Sequence, residues 1–139
     1  MKFIGFNFNK ILIERINKKS IGEKISTKLD ISSIEKIPNT LNSDEAILNV
    51  EFSYIIDYNP EVARIELRGN VLFNDSNDNI NTMITKWENK EMDADFKVNL
   101  FNIILRKSNI RALQLEDDLN LPPHMKLFSI KKEQLDKKE

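Results

Sequence analysis

The sequence predicts an α+β fold: an antiparallel sheet of about four strands followed by a short helix and a long helix packed on one face. Three observations predict it. Two adjoining runs in the middle of the chain alternate apolar and polar residues, as strands with one buried face do. After Phe73 the apolar spacing changes to that of helices. The length of 139 residues makes one domain rather than two, with a single core able to bury roughly 68% of the unfolded surface.

Near the N-terminus, Ile4, Phe6 and Phe8 alternate with Gly5, Asn7 and Asn9, and Ile11 and Ile13 continue with shifted parity. Ile25, Thr27, Leu29 and Ile31 alternate again. Residues 3–16 and 24–37 therefore read as one strand each, or as one long strand broken near Ser20–Gly22. The clearest signal follows. Leu48, Val50, Phe52, Tyr54, Ile56 and Tyr58 share one face, and Asn59-Pro60-Glu61 makes a turn. Ala63, Ile65, Leu67, Gly69, Val71 and Phe73 then face inward, completing an antiparallel hairpin. Gly69 has no side chain to pack, which predicts a bulge or a close approach by another element.

Asn74-Asp75-Ser76-Asn77-Asp78 supplies turn and N-cap residues. Ile80, Met83, Ile84 and Trp87 then form one face of a short helix. Asp93 is placed to cap a second helix, with Asp95 in its first turn. In that helix Asp95, Asn99, Asn102 and Arg106 occupy a narrow polar arc, while apolar residues from Phe96 to Leu105 fill most of the remaining girth. A helix on a single sheet needs an apolar stripe of about 100°. This one has about twice that, so its second apolar side is expected to meet something else: the short preceding helix within the same chain or, the favoured alternative, another copy of the chain. Ser108-Asn109 weakens the helix, which continues to about Asp118 before Leu119-Asn120-Leu121-Pro122-Pro123 stops it. Met125, Leu127, Phe128 and Ile130 form a last apolar stretch. The domain thus spans 1–130, and 131–139 reads as a charged, disordered tail.

Composition narrows the chemistry. There are 0 cysteines and 1 histidine, so no disulfide framework, thiolate zinc site or mechanism with two imidazoles is possible. Three glycines cannot build a phosphate-binding loop. Glu116-Asp117-Asp118 reads as a solvated helix end rather than a metal site, His124 as a loop histidine and Trp87 as a core anchor. No enzyme activity, metal or cofactor is expected. The net charge of −1 provides no field for nucleic acid, although residues 1–40 hold eight basic groups against four acidic ones. The Phe6, Phe8, Lys10 spacing of nucleic-acid-binding strands fits core packing better, so nucleic acid is an unfavoured partner. No signal peptide or membrane-spanning run is present, which predicts a cytoplasmic protein. What remains is excess apolar surface, suited to extended apolar peptide held in a groove between sheet and helices.

The order of elements, together with Arg68-Gly69-Asn70-Val71-Leu72-Phe73, Leu100-Phe101, Arg106 and Leu119-Asn120-Leu121-Pro122-Pro123, resembles the SecB family of export chaperones over roughly residues 3–128. The resemblance implies an ATP-independent holdase for unfolded or non-native polypeptides, assembled as a homo-oligomeric dimer of dimers. By matching position it implies groove residues Phe52, Tyr54, Val71, Phe73, Leu119 and Leu121, and assembly residues Phe101, Ile104 and Leu105. The chain departs from the family in being nearly neutral. Arg64 and Arg68 interrupt Glu51, Asp57 and Glu66 on the outward hairpin face, which argues against an acidic docking patch for the SecA motor. General holding, protection of one unstable partner such as an antitoxin, or a structural adaptor for a single protein fits as well as export.

Overall fold

The computed structural model describes residues 1–17 and 24–136. Strands β1 (Lys2–Arg15), β2 (Lys24–Pro38), β3 (Glu45–Asn59) and β4 (Ala63–Ser76) precede helices α1 (Asn77–Glu88), α2 (Ala94–Asp118) and the short α3 (Lys132–Asp136). All pairings are antiparallel and the sheet order is β1-β4-β3-β2. The hairpin read from the sequence is therefore the middle of the sheet, with the first two strands added to its opposite edges. This order explains the contrast in patterning. β3 and β4 are flanked on both sides and bury every inward apolar residue, whereas the edge strands β1 and β2 leave Phe3, Ile4, Ile11 and Ile37 partly exposed. The expected break near Ser20–Gly22 lies outside the described residues.

Gly69 meets the expectation of a close approach. It faces Phe8 on β1 and Phe52 on β3, and β1 bulges between Phe8 and Lys10. A Cβ at this position would lie 2.1 Å from the Asn7 carbonyl oxygen.

Both helices cover one face of the sheet. Ser76 caps α1 by accepting from the Asn79 N–H at 3.3 Å. Asp93 stands at the N-cap position of α2 but makes no side-chain cap bond. Its carboxylate instead takes the Lys86 ammonium at 3.0 Å, tying the end of α1 to the start of α2. α2 runs unbroken through Ser108-Asn109 to Asp118, and the tail expected to be disordered forms α3 over 132–136. Leu100, Ile104, Ser108, Ala112 and Glu116 are buried at four-residue intervals. Such a row is inclined to the helix axis, so the helix seats one ridge against the sheet along its whole length. The first half of this ridge closes over Leu48, Val50, Phe52, Val71 and Phe73 with Ile80 and Met83 of α1. The second half closes over Tyr54, Ile56, Tyr58, Ile65 and Leu67.

The opposite sheet face is polar and pairs across strands. Asn70 Nδ2 donates to Asn49 Oδ1 at 2.9 Å, Asn49 Nδ2 to Glu35 at 3.3 Å, and Ser33 Oγ to Glu51 at 3.1 Å. Glu66 accepts from Arg68 Nε at 2.5 Å and from Lys10 Nζ at 3.1 Å. The Arg68 bond, then the Lys10 bond, hold its carboxyl below the ordinary 4.5. A carboxyl depressed by folding stabilises the native state above its unfolded value and loses that contribution as pH falls through the folded one. Acid titration followed by circular dichroism should therefore show a stability loss beginning below about 4.5. Glu66→Gln should remove about 1 kcal/mol of that acid dependence, the half-exposed partners limiting its size. An unchanged acid limb in the variant would contradict the assignment.

Candidate functional site

An apolar opening lies beside the edge strand β2. Leu29 and Ile31 form its floor, Trp87 and Met92 one wall and Phe101 the other, enclosing about 620 Å³ open to solvent. Local sequence sets each wall. Trp87 continues the apolar face of α1 into its last turn, Lys90 reverses the chain at φ 59°, and the Lys86–Asp93 pair fixes the turn that carries Met92. Phe101 flanks the buried ridge of α2 on the β2 side, and Lys97 Nζ lies 5.7 Å from its ring centroid. Asp30, Glu88, Lys90 and Lys97 line the opening with both signs of charge. An apolar trough with a mixed rim beside an unpaired strand edge can take extended polypeptide with little demand on its sequence.

A second cavity, near the start of α2, encloses about 660 Å³ between Met83, Phe96 and a carboxylate group of Asp75, Asp93 and Asp95. Two of those carboxylates are already engaged: Asp93 by Lys86, and Asp75 by the Asn79 side chain at 3.0 Å.

The structure separates the residues assigned by family position. Phe52, Tyr54, Val71 and Phe73 are all buried beneath the helices, and Phe52 stacks against Phe6 at 5.3 Å between ring centroids. They shape the core beneath the helices. Leu121 is likewise buried, while Leu119 stays half-buried. Of the assembly residues, Ile104 has 0% exposure within the single chain, because it sits on the α2 ridge that meets the sheet. Phe101 and Leu105 remain partly accessible. The apolar side of α2 left free is carried by Val98 and Ile110, 59% and 54% exposed.

One expectation about polar residues is corrected. Glu116 is 1% exposed rather than solvated, because the α2 ridge turns it inward while Asp117 and Asp118 face out. His124 lies in the loop after α2, as expected, and its ring is engaged on both sides. Its Nδ1 lies 2.9 Å from Glu116 Oε1 and its Nε2 lies 2.8 Å from Asn109 Oδ1. The Tyr58 hydroxyl sits between Glu116 Oε2, at 2.5 Å, and the Pro122 carbonyl, and the Tyr54 hydroxyl donates to Asn109 at 2.8 Å. Arg15 Nη1 adds a 3.0 Å bond to the Leu119 carbonyl. These bonds pin the segment after α2 to both β3 and β1. The acid that pairs with His124 is eight positions upstream, in the last turn of α2 with the crossover between them, so the sequence offered no adjacent partner. Among the described residues no group of three or more potential ligands could hold a metal ion.

No protein-family model matches the chain, and no curated protein does. A solved structure does. The fold is similar to that of Mycobacterium tuberculosis Rv1957, a SecB-like chaperone in complex with a ChAD peptide from the Rv1956 HigA1 antitoxin. The TM-score is 0.52 at 11% identity, over 92% of this chain and 89% of that one. The architecture is thus that of a SecB-like structure, an α+β arrangement of four antiparallel strands followed by a short and a long helix. Among the described residues no helix is long and apolar enough to cross a membrane.

Proposed function

We propose that this protein is an ATP-independent holdase that binds unfolded or non-native polypeptide in the cleft beside β2. The observation that carries the proposal is that cleft: Leu29, Ile31, Trp87, Met92 and Phe101 form an open apolar trough next to an unpaired strand edge. A fold similar to that of a chaperone holding a peptide supports the same reading. In this reading the buried Phe52, Tyr54, Val71 and Phe73 support the groove from below, whereas Leu119 and Leu121 follow the opposite end of α2 and lie outside it. The wild-type protein should suppress aggregation of a chemically denatured client at near-stoichiometric ratios, measured by light scattering. Ile31→Ser with Met92→Ser should raise the amount of protein needed at least several-fold while leaving the far-ultraviolet spectrum unchanged. No suppression by the wild type at several-fold excess would end the proposal.

The same reading includes a homo-oligomer, a dimer of dimers in the form the resemblance implies. Its contacts use Val98 and Ile110 on α2, with the flanking Phe101 and Leu105, and the exposed Phe3, Ile11 and Ile16 of β1 and its end. Buried charge without a partner is costly, so Val98→Asp with Ile110→Asp should reduce the species seen by light scattering. A wild-type mass of 16.3 kDa at high micromolar concentration would remove the assembly.

A second reading, an adaptor serving one protein partner, is favoured by the antitoxin peptide held by the structural neighbour. Competition separates the two. A holdase releases one unfolded client in favour of several unrelated ones, whereas a dedicated adaptor keeps its partner against all of them.

A further inference from the structure

We propose that residues Met125–Ile130 form a strap that closes over the β2 cleft of its own chain, with Phe128 entering between Trp87 and Phe101. The inference deepens the holdase reading, on which its competitive role rests. In this structure the strap stands off the body: Phe128 is wholly exposed, and Ile130, Leu127 and Met125 are 78%, 53% and 43% exposed. Four apolar side chains on six consecutive residues stand in solvent while an apolar trough opens on the same chain, which makes a closed arrangement favourable on burial alone.

Three observations fix the occupant as this segment and its own chain. The first is where the strap is anchored. His124 is pinned through Glu116 and Asn109, and its ring lies 6.4 Å from that of Tyr54, whose neighbour across the sheet is Leu29 of the cleft floor. The second is reach. Phe128 is four residues past that anchor, about 13 Å when extended. Phe101 is eight residues before Asn109, about 12 Å along the helix. The length of the strap therefore matches the distance to be spanned. Charge is the third. Lys126 lies within the apolar stretch and Lys131 follows it, and the rim offers them Asp30 and Glu88 beside its own Lys90 and Lys97, the last turned onto the Phe101 ring. Strap and client would compete for one trough, so an unoccupied chaperone hides its apolar surface and opens only for a chain that binds better than its own strap.

Trp87 is the sole tryptophan and lines the cleft, so its fluorescence reports closure without any client. Acrylamide quenching of the full chain should rise about twofold in Phe128→Ser and in Leu127→Ser. Both residues are exposed here, so the fold does not depend on them. A peptide Met-Lys-Leu-Phe-Ser-Ile-Lys-Lys added to Phe128→Ser should restore protection, and the same peptide with serine for phenylalanine should not. Equal quenching in wild type and variants, or no effect of the peptide, overturns the strap. Protection that grows with protein concentration also overturns it, assigning the segment to a second copy instead. Phe128→Ser should bind a denatured client several-fold more tightly. If no client binds either protein while the quenching difference stands, the holdase reading fails and the strap survives.

Discussion

Replacing Glu116 by alanine is expected to lower stability by about 3 kcal/mol or more, because it breaks a buried pair and leaves its partners without an acceptor. At this chain length that corresponds to a fall of roughly 10 °C in the melting temperature. The Tyr58 hydroxyl, the His124 ring and the His124 N–H all turn towards that carboxylate, and the side chain is 1% exposed, so water cannot replace it without opening the structure. Because Glu116 holds the segment after α2, proteolysis after Leu121 should accelerate in the same variant. Glu116→Gln keeps the shape and an accepting oxygen and should recover most of the loss. A melting temperature for Glu116→Ala within a degree or two of wild type would show that the network does not hold the crossover. The tyrosines offer an independent check. Burial first, then Glu116, raises both Tyr54 and Tyr58 above the ordinary 10.0. A raised value means that the unfolded chain loses the proton first, so stability is complete below about 10 and falls as pH rises beyond it. Tyrosinate absorbance should consequently appear together with unfolding rather than before it.

Gly69→Ala should be destabilising by about 2–3 kcal/mol, the cost of forcing atoms into a filled site. The new methyl would stand 2.1 Å from the Asn7 carbonyl oxygen and 3.0 Å from Phe52 Cζ. Backbone cannot yield as a flexible side chain does, so β1 must shift away from β4 over the bulge at Phe8/Lys10. Gly5→Ala is the control. Its added carbon meets Leu72 at 3.5 Å, an ordinary contact, and should leave stability unchanged or slightly improved by restricting the unfolded chain. Thermal unfolding of the two variants decides the matter, and equal shifts would refute the close approach.

The elements themselves were readable. Leu48 to Tyr58 and Ala63 to Phe73 alternate so regularly that only a half-buried hairpin satisfies them, and the structure buries that face throughout. Gly69 was marked by its missing side chain, though not the strand that comes close to it. The site was much less legible. Leu29 and Ile31 looked like ordinary inward strand residues. Trp87 read as a core anchor but is half-buried at the cleft wall, and nothing in their spacing says that β2 ends at an edge beside the α1–α2 turn. The aromatic residues of the hairpin were the more conspicuous candidates, and their conspicuousness came from being core. The long helix shows the same limit: counting apolar positions around its girth gave its width, but Ile104 fell on the inner ridge and Val98 and Ile110 on the outer side.

Local chemistry therefore settled the strands, the first two helices and their turns, because period, caps and chain-stopping prolines act on neighbours a few residues apart. Strand order, the burial of Glu116 with His124, and the trough beside β2 were settled only in three dimensions. Each joins residues that the chain separates, and no short-range preference records which distant surfaces will meet.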